Sequence, residues 1–162
     1  MVFLDPDGLK LELVFDDGDG RADIAVYKPA SPSSVWNILQ STNGTLRSVT
    51  WGSISAVPVP ADYDGDGKAD IAVYREGDPS VWNILQSTTG TLLSVQWGST
   101  GAEPVPADYD GDGKADIAVY REGAQSVWNI RESSTLALRS VDWGTTGDIP
   151  VSSPMWWKEI FR

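Results

Sequence analysis

The sequence predicts an all-β chain made of three repeats of a four-stranded antiparallel unit. Three observations lead there. Val59–Gly77, VPADYDGDGKADIAVYREG, returns letter for letter as Val105–Gly123, 46 residues later. The tryptophans keep the same period: Trp36, Trp82 and Trp128 form one series, Trp51, Trp97 and Trp143 another. Between the apolar runs lie segments rich in Gly, Asp, Pro, Ser and Thr, which is turn chemistry. Constant self-similarity of this length marks a repeat architecture. A β-sandwich has no reason to space its tryptophans evenly.

The second repeat shows the unit best. Val57–Tyr63 is a first strand, and Pro58 and Pro60 exclude it from a central position where they would have to donate to a ladder. Asp70–Arg75 is a β-branched and aromatic run. Ser80–Gln86 contains Val-Trp-Asn-Ile-Leu, and Thr91–Trp97 alternates around Leu93, Val95 and Trp97. Four such strands in about 45 residues match one blade of a β-propeller. The expected division is an N-terminal strand segment at 1–13, blades at 11–55, 56–101 and 102–147, and an extra strand with an aromatic tail at 148–162. The near-identity of the second and third repeats suggests recent duplication or engineering.

Between the first two strands of the second repeat runs Asp62-Tyr63-Asp64-Gly65-Asp66-Gly67-Lys68-Ala69-Asp70. Carboxylates stand at loop positions 1, 3, 5 and 9, and glycines at 4 and 6 allow a tight turn. Such a loop can gather its odd-numbered side chains around one point. A hard cation takes oxygen ligands, and Ca²⁺ takes six to eight at about 2.3–2.6 Å. The expected ligands are Asp62, Asp64, Asp66, the carbonyl of Lys68 with its side chain turned to solvent, and Asp70. The third repeat offers Asp108, Asp110, Asp112, the carbonyl of Lys114, and Asp116. A ring of four carboxylates suits Ca²⁺ better than the smaller Mg²⁺. The plain alternative, that Asp-Gly runs are hairpin turns, fits a lone pair better than this full pattern present twice. The first repeat departs: Phe15 falls where the first Asp belongs, and Asp16 replaces it only if the loop is one residue shorter. Asp17, Asp19, the carbonyl of Arg21, and Asp23 still fit, so a weaker or altered site is expected there.

Together with Asp-Ile-Ala-Val-Tyr and Val-Trp-Asn-Ile, these loops resemble FG-GAP/VCBS-type repeats, the blades of integrin-α-like propellers. The resemblance runs from about Leu11 to Val151. It implies a bladed propeller with Ca²⁺ in the hairpin between a blade's first and second strands, where the ion is mainly structural. It also implies a secreted or cell-surface setting, with adhesion modules and some sugar-binding lectins among the family's members.

Trp51, Trp97 and Trp143, like the other series, suit the wedge between adjacent blades. The competing reading makes one Trp per blade a sugar platform, with Asn37, Asn83, Asn129 or the Arg75-Glu76 and Arg121-Glu122 pairs supplying hydrogen bonds. Lys28, Arg75 and Arg121 end equivalent strands, where edge charge pairing is the simpler account.

Composition closes other routes. The chain has no Cys and no His, so disulfides, thiolate sites and imidazole-based catalysis are excluded. Glu76 and Glu122 recur as equivalent positions rather than as a converging pair, so a glycosidase is not expected. The net charge of −11 should repel nucleic acid and anionic membranes. Twelve of the 23 acidic residues sit in the three loops, and three Ca²⁺ would leave about −5. No apolar run reaches the roughly 20 residues of a membrane helix, and Met1–Asp5 has neither the basic nor the apolar stretch of a signal peptide.

Propellers usually close with four to eight blades, and three leave two bare faces. The expected solution is self-association of two chains into a six-bladed ring, with the 148–153 strand at the joint. The competing expectation is a fragment of a longer propeller.

Overall fold

The computed structural model describes residues 14–151. They form three four-stranded antiparallel sheets, each a simple up-and-down meander. The first holds β1 (Val14–Phe15), β2 (Asp23–Lys28), β3 (Val35–Leu39) and β4 (Leu46–Thr50). The second holds β5 (Val57–Pro58), β6 (Ile71–Arg75), β7 (Val81–Leu85) and β8 (Leu92–Gln96). The third holds β9 (Ala102–Pro104), β10 (Ile117–Arg121), β11 (Val127–Arg131) and β12 (Leu138–Asp142). Among the described residues the sheets do not close into a ring.

The registers repeat. Tyr27, Tyr74 and Tyr120 face Trp36, Trp82 and Trp128 across the ladder, and Asn37, Asn83 and Asn129 face Ser48, Ser94 and Ser140. The first strands are shorter than expected. In the second repeat, Val57–Pro58 pairs with β6 and the ladder resumes only at the Ala61–Asp70 bridge. Proline supplies no N–H, so Pro58 and Pro60 break the run, and β5 sits at the sheet edge where the missing donor is tolerated. Residues 148–151, expected to begin an extra strand, are in no strand, because no further described segment offers them a ladder. The expected N-terminal strand at 1–13 and the tail beyond 151 lie outside the described residues.

The core lies between sheets. Tyr27, Trp36 and Ile38 of the first sheet bury against Ala69, Ile71 and Val73 of the second. Tyr74, Trp82 and Ile84 of the second bury against Ile117 and Val119 of the third. The first two sheets thus each offer an aromatic face to the next repeat, and the last two an Ile/Val face to the one before. Trp36 and Trp82 are fully buried. Their indole N–H groups donate to the carbonyls of Trp51 and Trp97, and their rings meet Tyr27 and Tyr74 edge to face. That gives each large aromatic both packing and a partner for its polar atom.

Candidate metal loops and the clefts between sheets

The acidic loops all lie at one end of the sheets, between first and second strands. In the second repeat Asp62 organises the loop: its carboxylate accepts from the N–H of Gly65 at 2.6 Å and of Gly67 at 2.8 Å. Asp108 does the same for Gly111 and Gly113. In the first repeat that role falls to Asp16, which accepts from Gly18 at 2.8 Å and Gly20 at 3.3 Å. The loop is one residue shorter, so Phe15 pairs with Asp23 as Ala61 bridges to Asp70, and its ring is buried in the core. The missing residue is the counterpart of Tyr63.

That deletion has an electrostatic consequence. Asp70 Oδ2 accepts from the N–H of Tyr63 at 2.9 Å, and Asp116 Oδ2 from that of Tyr109 at 2.8 Å. Asp23, only 3% exposed, has no such donor, and its Oδ2 is buried without a hydrogen bond.

Ligand atoms of Asp16, Asp17 and Asp19 converge within 4.8 Å of one another, as do those of Asp62, Asp64 and Asp66, and those of Asp108, Asp110 and Asp116. That spacing matches oxygens around one cation at about 2.3–2.6 Å. Asp23, Asp70 and Asp112 stand outside these trios. Asp64 Oδ1 is buried with no donor, an acceptor that a cation would satisfy. The residues therefore fit a hard divalent ion. The Lys68 side chain does not simply turn to solvent as expected. Its stem lies over Gly18 of the preceding loop, and that of Lys114 over Gly65, so close that a Cβ on either glycine would fall 2.9 Å from the lysine Cε. The positive φ of both glycines disfavours other residues as well. Backbone bonds reinforce this link: Ala69 N–H donates to the Asp16 carbonyl and Ala115 N–H to that of Asp62.

Sequence reasoning missed the other wall of each site, the turn after the third strand. Ser87 donates its N–H to Asp70 and its hydroxyl to Asp66, and Thr88 donates its N–H to Asp64. Ser41 and Thr42 serve the first loop, and Ser133 and Ser134 the third. The signal was present: Ser-Thr or Ser-Ser follows every third strand at the repeat period. Hydrogen bonds from Ser134 hold the Asp110 carboxyl below the usual carboxylate range, whereas burial raises Asp70 above it.

A model of the FG-GAP-like repeat family matches residues 17–73 and again 62–119. The chain belongs to that family. No curated protein and no solved structure gives a significant match.

The aromatic and polar candidates gather elsewhere, in two equivalent clefts between neighbouring sheets. Trp51, Arg75 and Asn83 line one of about 320 Å³, and Trp97, Arg121 and Asn129 line the other, of about 340 Å³. Trp51 Nε1 donates to the Asn83 carbonyl at 3.2 Å and Trp97 Nε1 to that of Asn129 at 3.1 Å. These tryptophans therefore both brace the seam and wall the cleft. The Oδ1 atoms of Asn83 and Asn129 are already engaged by Ser94 and Ser140. Trp143 is in neither cleft and is 75% exposed. It lines a smaller hollow of about 260 Å³ with Tyr120, Trp128 and Ile149.

Proposed function

We propose that the chain is a non-enzymatic binding or adhesion module made of β-propeller blades, whose acidic loops are stabilised by calcium. The observation that carries this reading is the convergence of three carboxylates in the acidic loop of each repeat, with Asp64 Oδ1 lacking any donor. Four acids so close repel one another, and a cation removes that repulsion while tying the loop to the Ser-Thr turn opposite. Asp62, Asp64, Asp66 and Asp70 would hold the ion in the second repeat, and Asp108, Asp110, Asp112 and Asp116 in the third. A third site formed by Asp16, Asp17 and Asp19 would sit in the first. The ion's part is structural, and no step of chemistry is assigned to it. By family resemblance such a module works outside the cell or at its surface.

A thermal melt decides the point. Excess CaCl₂ should raise the melting temperature and EDTA lower it, since an ion bound only to the folded form adds about 2.7 kcal/mol at a hundredfold excess over Kd. Asp66→Ala and Asp112→Ala should each remove one site by calorimetric titration. Identical melts in EDTA and in CaCl₂ would overturn the reading.

The two clefts favour a second reading, carbohydrate binding. Each is lined by a tryptophan and an exposed arginine, an apolar wall with a few polar groups.

A further inference from the structure

The two seams inside the chain are built from the same parts. Across the first, Trp51 donates to the Asn83 carbonyl, Ala69 to the Asp16 carbonyl, and Lys68 covers Gly18. Across the second, Trp97 donates to the Asn129 carbonyl, Ala115 to the Asp62 carbonyl, and Lys114 covers Gly65. In both, an Ile-x-Val strand face closes on the Tyr/Trp face of the sheet before it.

One copy of each half is left over. At the end of the third sheet stands Trp143, 75% exposed, whereas Trp51 and Trp97 are half-buried and bonded across their seams. Gly111, the counterpart of Gly18 and Gly65, has no atom within 4 Å of where a Cβ would stand. On the first sheet stands the complement. Ile24 is 68% and Val26 46% exposed, whereas Ile71, Val73, Ile117 and Val119 in the same strand positions are buried. Arg21, Ala22 and Asn37 occupy the positions of Lys68, Ala69 and Asn83. The left-over halves belong to opposite ends of the chain, and no third seam joins them among the described residues.

We propose that these halves meet between molecules: the third sheet of one copy packs on the first sheet of a second copy through a third seam of the same construction. In it Trp143 donates to the Asn37 carbonyl of the second copy. Ala22 of that copy donates to the Asp108 carbonyl, and its Arg21 stem lies over Gly111. The occupant is a second copy because this chain itself carries, in the right register, every group that the two internal seams use. The contact is head to tail, so it runs on until it closes, and two copies make a six-sheet ring within the usual propeller range. The inference rests on the propeller reading above and does not depend on the metal.

The test is the mass of the full chain in excess CaCl₂ at micromolar concentration, by light scattering. Twice 17.5 kDa is expected. Trp143→Ala and Ile24→Lys should each weaken association at least tenfold while leaving a folded chain, because both side chains are exposed in the single molecule. Mixing the two variants should restore dimer, since the mixed ring regains one intact seam; a face-to-face dimer through one patch would show no such rescue. A folded monomer, or a dimer indifferent to both variants, overturns the proposal. So does a monomer that dimerises only when residues 152–162 are removed, which would assign the face to the chain's own tail. A dimer that persists while calcium binding fails would break the metal reading and leave this one standing.

Discussion

The middle sheet and the outer two are written in almost the same letters and live in different surroundings. Ile71-Ala72-Val73-Tyr74 of β6 is buried on both faces, whereas Ile24-Ala25-Val26-Tyr27 of β2 alternates between buried and exposed. Trp97 is half-buried and bonded to the next sheet, and its equivalent Trp143 is open to solvent. The side chains differ little, so the neighbours make the difference. In a repeat protein stability is close to a sum of terms within each repeat and terms at each seam. Among the described residues of a single chain, the middle sheet takes part in two seams and each outer sheet in one. The loops extend the contrast: one deleted residue leaves Asp23 Oδ2 without the donor that Asp70 and Asp116 possess.

The largest effect expected from this contrast is at Trp82, which is fully buried against Tyr63 and Tyr74. Trp82→Ala should cost about 3–5 kcal/mol in guanidinium unfolding. In the Ile24→Lys background, which keeps the end face open, Trp128 is only partly buried and should cost clearly less when changed to Ala. Equal losses would mean that the end face is covered as well as the seam.

A smaller effect separates the acidic loops, measured in EDTA so that no ion intervenes. Both oxygens of Asp70 accept backbone N–H groups, from Tyr63 and from Ser87. Asp70→Asn must therefore aim an amide at one of those donors, and should cost about 1–3 kcal/mol. Asp23→Asn can keep the bond from Ser41 and put its amide where an oxygen without a donor was, so it should cost less than Asp70→Asn. Chemical denaturation of the two variants checks the order, and a reversed order would refute the account of the deletion.

The smallest change in stability is expected in the clefts. Arg75 and Arg121 are exposed. Replacing either by Ala should move stability by no more than about 0.5 kcal/mol. If the clefts take sugar, the double variant should lose retention on a glycan array that the unaltered chain shows. Retention unchanged by the double variant would leave the clefts as seams only.

Much of this was legible without the structure. Twelve strands in three sets of four, the acidic loops between first and second strands, and the altered first loop all follow from the period and from turn residues. The condition attached to Asp16, a loop shorter by one, is met. What escaped the sequence was the donors facing the loops: Ser87 lies 17 positions from Asp70 and 21 from Asp66. Only the return of the third strand brings them together. The lysine stems escaped for a similar reason, since Lys68 covers a glycine of the previous repeat.

By itself the sequence determined the repeat, the strand order within each sheet, and the carboxylate spacing of the loops. These depend on residues a few positions apart, on β-branched runs, and on the left-handed conformations that glycine adopts most readily in a tight turn. The tertiary structure alone decided which copy of each repeated residue is buried. Identical strands cannot announce whether another sheet lies beside them. Burial is set by contacts between sheets, and Trp51, Arg75 and Asn83 become one cleft only when two sheets pack.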